Sequence, residues 1–166
     1  YAVLPFLNVL FTYGLETAFF RFSNREENKA NIYNTTATSI IISTVLLGVT
    51  LLFFHQQLAT FAGISNYPEL IKFSIIIIMI DTMAVIPFAK LRHDGRPRKY
   101  ALAKVSGIVA YLFFTFFFLS VCYVRAKANP ASAWNSIVDV NKNPVYYIVM
   151  ANLIQAVVTF LFLYKE

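Results

Sequence analysis

Charge is what this sequence holds least of: only 13% of its 166 residues are Asp, Glu, Lys or Arg. A soluble domain carries about 25%, so a water-exposed globule is excluded and a membrane composition is indicated. Cysteine is nearly absent too. Cys122 stands alone inside an apolar run, which excludes a disulfide framework and a thiolate metal site and leaves a small apolar filler. The two histidines, His55 and His93, lack ligand-spaced carboxylates or cysteines, and the five glycines form neither a phosphate-cradling loop nor a nucleophile elbow. An intramembrane enzyme needs such a cluster, so the chain is not expected to be an enzyme or to hold a cofactor.

What the sequence does hold is apolar length, with 58% hydrophobic and 17% aromatic residues. About 20 residues of helix cross a hydrocarbon core, and runs of that size occupy residues 1–20, 35–54, 69–89, 101–124 and 145–164. The second is rich in β-branched residues, but an isolated strand in lipid would leave its backbone unpaired. The fold expected is therefore all-α, a polytopic transmembrane helix bundle of about five spans whose first partner is the lipid bilayer.

The net charge of +6 does not argue for nucleic acid, because the cations sit in short links between apolar runs. Arg21, Arg25 and Lys29 follow the first run, and Lys90, Arg92, Arg96, Arg98 and Lys99 follow the third. The second link has no Lys or Arg; the fourth has Arg125, Lys127 and Lys142. Counting cations places the first and third links in the cytoplasm and Tyr1 on the outer side. With neither an initiating methionine nor a basic leader ahead of its first apolar run, the chain reads as an excerpt of a longer protein.

Turn and cap chemistry divides the runs. Asn34-Thr35-Thr36 reads as an N-cap region, Asn66-Tyr67-Pro68 as a turn before a helix, and Asn143-Pro144 as an N-cap with proline at the first helical position. Asp94-Gly95 and Arg96-Pro97 supply a tight turn, Pro87 is expected to kink the third span, and Trp134, Tyr146, Tyr147 and Tyr164 suit a membrane interface. Phe113, Phe114, Phe116, Phe117 and Phe118 wrap the fourth span and predict lipid contact.

A few polar groups lie at depth. Asn8, Thr12 and Glu16 recur every fourth residue, and Glu16 reads either as a cavity-facing group or as half of a structural ion pair; Arg21, about 140° further round, is a poor same-face partner. Asp81 shares a face with Ser74 near the middle of the third span, where a carboxylate costs about 2.5–3.5 kcal/mol against lipid and so should face a bundle interior or a wet cavity. Lys104 falls in the first turn of the fourth span. Asn152, Gln155 and Thr159 form a stripe on the fifth that suits helix packing or a cavity wall. Polar groups at depth plus a bend are what a transporter needs.

Two segments, Asn8-Val-Leu-Phe-Thr-Tyr-Gly-Leu-Glu-Thr-Ala-Phe-Phe-Arg-Phe22, and Asp81-Thr-Met-Ala-Val-Ile-Pro-Phe-Ala-Lys-Leu-Arg92 continued by Arg96-Pro-Arg-Lys-Tyr-Ala101 and Lys104, resemble the polysaccharide biosynthesis flippases of Bacteroidetes-type bacteria, within the multidrug, oligosaccharidyl-lipid and polysaccharide exporter superfamily. The resemblance implies two facing lobes in a fold of 12–14 helices, with this chain supplying helices two to six of the first lobe. It further implies movement of undecaprenyl-diphosphate-linked oligosaccharide (O-antigen type) across the bacterial inner membrane by alternating access, driven by a proton or Na+ gradient and beside other polysaccharide assembly proteins. Matching the family pattern, Arg21, Arg92 and Lys104 become cargo-binding candidates and Glu16 and Asp81 ion-coupling or switch candidates; Asn152 and Gln155 join them as cavity candidates from their polar stripe alone. The competing expectations are a multidrug or cation exporter of the same superfamily, and a membrane transferase or non-transporting scaffold in envelope assembly. A cationic rim favours an anionic cargo.

Overall fold

A computed structural model describes residues 9, 11–12, 14–23, 29–128, 138–139 and 143–164. Half of the first expected span lies outside these residues, as do Asn8, Arg25, Trp134 and Lys142. The described residues form an all-α bundle. Its helices are α1 (Leu15–Ser23), α2 (Lys29–Phe53), α3 (His55–Phe61), α4 (Pro68–His93), α5 (Pro97–Phe116), α6 (Val124–Ala128) and α7 (Pro144–Leu163). A π-helical stretch, Phe117–Tyr123, joins α5 to α6 in one continuous rod.

Among the described residues, four helices are long and apolar enough to cross a membrane: Asn31–Phe53, Pro68–His93, Pro97–Ala128 and Pro144–Leu163. The outer faces of α2, α5 and α7 are mainly apolar, as lipid contact requires, with Leu102, Val105, Val109, Leu112 and Phe116 exposed on α5; the exposed positions of α4 are instead Glu69, Lys72, Asp81 and Arg92. Phe113 of α5 is exposed as well, whereas Phe114, Phe117 and Phe118 are half-buried. The rod therefore meets lipid on one side and the bundle on the other.

The helix starts and stops follow from local chemistry. At α7 the Asn143 side chain accepts a hydrogen bond from the Val145 amide at 3.0 Å, with Pro144 in the first turn, where its missing N–H costs nothing. At the end of α4, Gly95 takes φ of 63°. There the Arg96 amide donates to the Leu91 carbonyl at 3.0 Å and the Gly95 amide to that of Arg92 at 3.3 Å, the paired bonds of a Schellman stop. The same motif closes α3 at Gly63, with Ile64 donating to Ala59 at 2.9 Å. Asn34-Thr35-Thr36 does not cap α2. That helix begins at Lys29, so Asn34 and Thr35 lie inside it and are exposed to solvent there instead of replacing backbone partners.

Helix α4 is the centre. It packs against α2 on one side and α7 on the other, α7 also packs along α5, and α1 rests on α2 and α4. Although α4 and α5 are joined by a tight turn, their mutual contact is far smaller than either makes with α7. Close approach is set by two glycines. A Cβ on Gly107 would collide with Thr159 of α7, and one on Gly48 of α2 would collide with the Met79 side chain of α4, the small-residue device of membrane helix packing. Helix α4 continues through Pro87 to His93. Cys122 is fully buried beside Val138 and Tyr147. Tyr147 is not a lipid-facing belt residue: its hydroxyl accepts from the Asp139 amide at 2.8 Å and donates to the Asp139 carbonyl at 3.0 Å, pinning that segment to α7.

Candidate functional site

One face of α4 carries the site. Asp81, Phe88 and Arg92 stand at i, i+7 and i+11, so their side chains emerge along one line about 16 Å long. Asp81 lies 13 residues after Pro68 and 12 before His93, at the middle of its helix, and it is exposed there. Helix α5 brings Lys104 to the same line. Its Nζ sits 4.5 Å from the centre of the Phe88 ring, and its charge acts on Asp81. Because α5 begins at Pro97, Lys104 lies two turns inside the helix, deeper than a first-turn position, which is what carries its ammonium alongside Phe88.

Towards the cationic end the line continues to Arg92, whose guanidinium pairs with Glu16 of α1. The same guanidinium lies 5.7 Å from the Phe20 ring centre and 5.6 Å from that of Tyr100. Both rings attract the group by cation–π interaction. Lys90 adds a third example, its Nζ 4.6 Å from the Tyr33 ring centre. His93 closes the corner, its ring 6.1 Å from that of Phe19 and its Nδ1 3.6 Å from an Asp94 carboxylate oxygen. The result is a column of charge, negative at Asp81, positive at Lys104 and Arg92 and negative again at Glu16, backed by aromatic faces.

The candidates named from the sequence are thus partly united. Glu16, Asp81, Arg92 and Lys104 join one column. Arg21 is exposed in the last turn of α1, and Glu16 takes Arg92 as its partner instead, as the 140° offset between Glu16 and Arg21 requires. Arg96, Arg98 and Lys99 are exposed at the α4–α5 corner. Asn152 and Gln155 are half-buried on α7, and Gln155 and Thr159 face the Gly107 notch of α5; helix packing accounts for those two.

The aromatic partners Phe20, Tyr33, Phe88 and Tyr100 were not singled out from the sequence. Two carried a local signal: Phe88 precedes Arg92 by four residues and Tyr100 precedes Lys104 by four, the spacing of same-face neighbours on a helix. The pairings seen here cross between helices, however, and only packing sets those.

At the opposite end of α4 the chain forms an open cleft lined by Asn66, Tyr67, Pro68, Glu69, Asn143 and Tyr146. It gathers the starts of α4 and α7, away from the charged column. In comparisons with known proteins, no family model, no curated protein and no solved structure matches this chain.

Proposed function

We propose that the chain is part of a membrane transporter for an anionic, lipid-linked cargo, and that the column from Asp81 to Arg92 borders its path. Asp81 carries this reading. A carboxylate exposed at mid-span is too costly to leave against hydrocarbon, so the face that bears it meets water or further protein. Lys104 and Arg92 then continue that face to the cationic end, where Arg96, Arg98 and Lys99 attract anions.

A phosphate group crossing such a path needs donors that follow its charge, and Arg and Lys provide charge-assisted bonds to its oxygens. The resemblance to polysaccharide flippases supplies the specific cargo, undecaprenyl-diphosphate-linked oligosaccharide, and the setting, a bacterial inner membrane with residue 1 on the periplasmic side. Glu16 and Asp81 serve in this reading as the groups that exchange a coupling ion or switch partners between inward- and outward-open states.

The test is transport by the Arg92→Gln/Lys104→Gln double variant. Flipping of lipid-linked oligosaccharide, followed in cells or reconstituted vesicles, is expected to fall at least tenfold while the amount of folded protein in the membrane is unchanged. Wild-type transport by this variant would exclude the column as the cargo route.

A further inference from the structure

The strongest cation of the column is already occupied by an anion of the chain itself. The Phe20 and Tyr100 rings lie 5.7 and 5.6 Å from the Arg92 guanidinium, and Glu16 accepts from its Nη2. The pair is not sealed. The Arg92 and Glu16 side chains are 43% and 35% exposed, open enough for an external anion to reach them without unfolding. The same pair also holds α1 to α4. Beside it, contact between these helices at this end is aromatic, Phe19 and Phe20 against His93 at 6.1 and 6.5 Å and Phe20 against Arg92.

We infer that Glu16 is a resident anion which a phosphate-bearing group must displace from Arg92, and that its displacement frees α1 from α4 at the cationic end. Carboxylate and phosphate oxygens compete for the same N–H donors. Glu16 and Phe20 both belong to α1, whereas the Tyr100 ring 5.6 Å from the guanidinium belongs to α5, so an exchange of carboxylate for external anion leaves Arg92 the fixed member beside Tyr100 and makes α1 the mobile one. Anion occupancy and separation of the two helices are then linked: whatever binds only the unpaired Arg92 shifts the population towards the separated state. The inference rests on the proposed anionic cargo and adds how its arrival is sensed.

The experiment uses the protein in lipid nanodiscs, with Cys122→Ala as background and spin labels at Thr17 of α1 and Ala101 of α5, both exposed. Inorganic pyrophosphate is added in neutral-lipid discs, and phosphatidylglycerol discs are compared with phosphatidylcholine discs. Either anion is expected to lengthen the label distance; an effect confined to phosphatidylglycerol identifies a lipid headgroup as the source, and one seen with pyrophosphate a free phosphate.

Glu16→Gln should show the longer distance without any anion and bind pyrophosphate about two- to fivefold more tightly, the scale of a half-exposed ion pair. The reversed pair Glu16→Arg/Arg92→Glu should keep the short distance and lose the anion response. Arg92-dependent binding that is equal in wild type and Glu16→Gln, with an unmoved distance, would overturn the inference while leaving the anionic-cargo reading intact. Absence of any Arg92-dependent binding would overturn both.

Discussion

At the scale of single residues, three threonines, Thr44, Thr82 and Thr115, mark where polar chemistry is left unmatched among the described residues. Thr44 on α2 and Thr82 on α4 are fully buried, and neither hydroxyl has a hydrogen-bond partner among the described residues. A buried, unpaired hydroxyl costs about 1–3 kcal/mol, whereas an apolar group of the same shape carries no such cost. Thr82→Val is therefore expected to stabilise the protein by about 1 kcal/mol, read as a higher unfolding midpoint in detergent; a lower midpoint would show that the hydroxyl finds a partner in the membrane. Asp81 is the contrasting case. One position earlier on the same helix, its side chain is exposed instead of packed between helices.

At the scale of helices, the two glycine notches make different demands. Gly107→Ala would bring its methyl against Thr159, a short β-branched side chain with nowhere to turn at a buried position. Overpacking of that kind costs about 1–3 kcal/mol, more than the roughly 1 kcal/mol that alanine gains over glycine in a helix. Gly48→Ala meets Met79 instead, a flexible thioether that can rotate aside. Gly107→Ala should lower the unfolding midpoint, Thr159→Ala placed with it should restore most of the loss, and Gly48→Ala should be near neutral. Equal effects at the two glycines would show that the α5–α7 and α2–α4 crossings are equally yielding.

At the scale of the whole molecule, α4 separates two ends of different character. The start of α4 joins the Asn66–Glu69 cleft, and its last turn carries Lys90, Arg92 and His93. The excess of cations at the latter end predicts that it faces the cytoplasm. In a Cys122→Ala background, a cysteine at Arg98 should react with an impermeant maleimide only from the cytoplasmic side and one at Asn66 only from the outside. The reverse pattern would invert the orientation and, with it, the direction of the proposed path.

The helical class was legible in sequence, as were four apolar runs that form long helices, because lipid leaves a long apolar run no other way to satisfy its backbone. Caps were legible where the chemistry is local, at Asn143-Pro144 and at Gly95, and misleading at Asn34, where solvent serves as well as a cap. Individual charges at depth were visible in the same manner, since an isolated Asp81 or Glu16 is conspicuous among apolar neighbours. Their pairings were not. That Glu16 meets Arg92, 76 positions away, and that Phe20 and Tyr100 both approach the guanidinium, depends on how α1, α4 and α5 pack, and periodicity along one helix carries no information about the face of another.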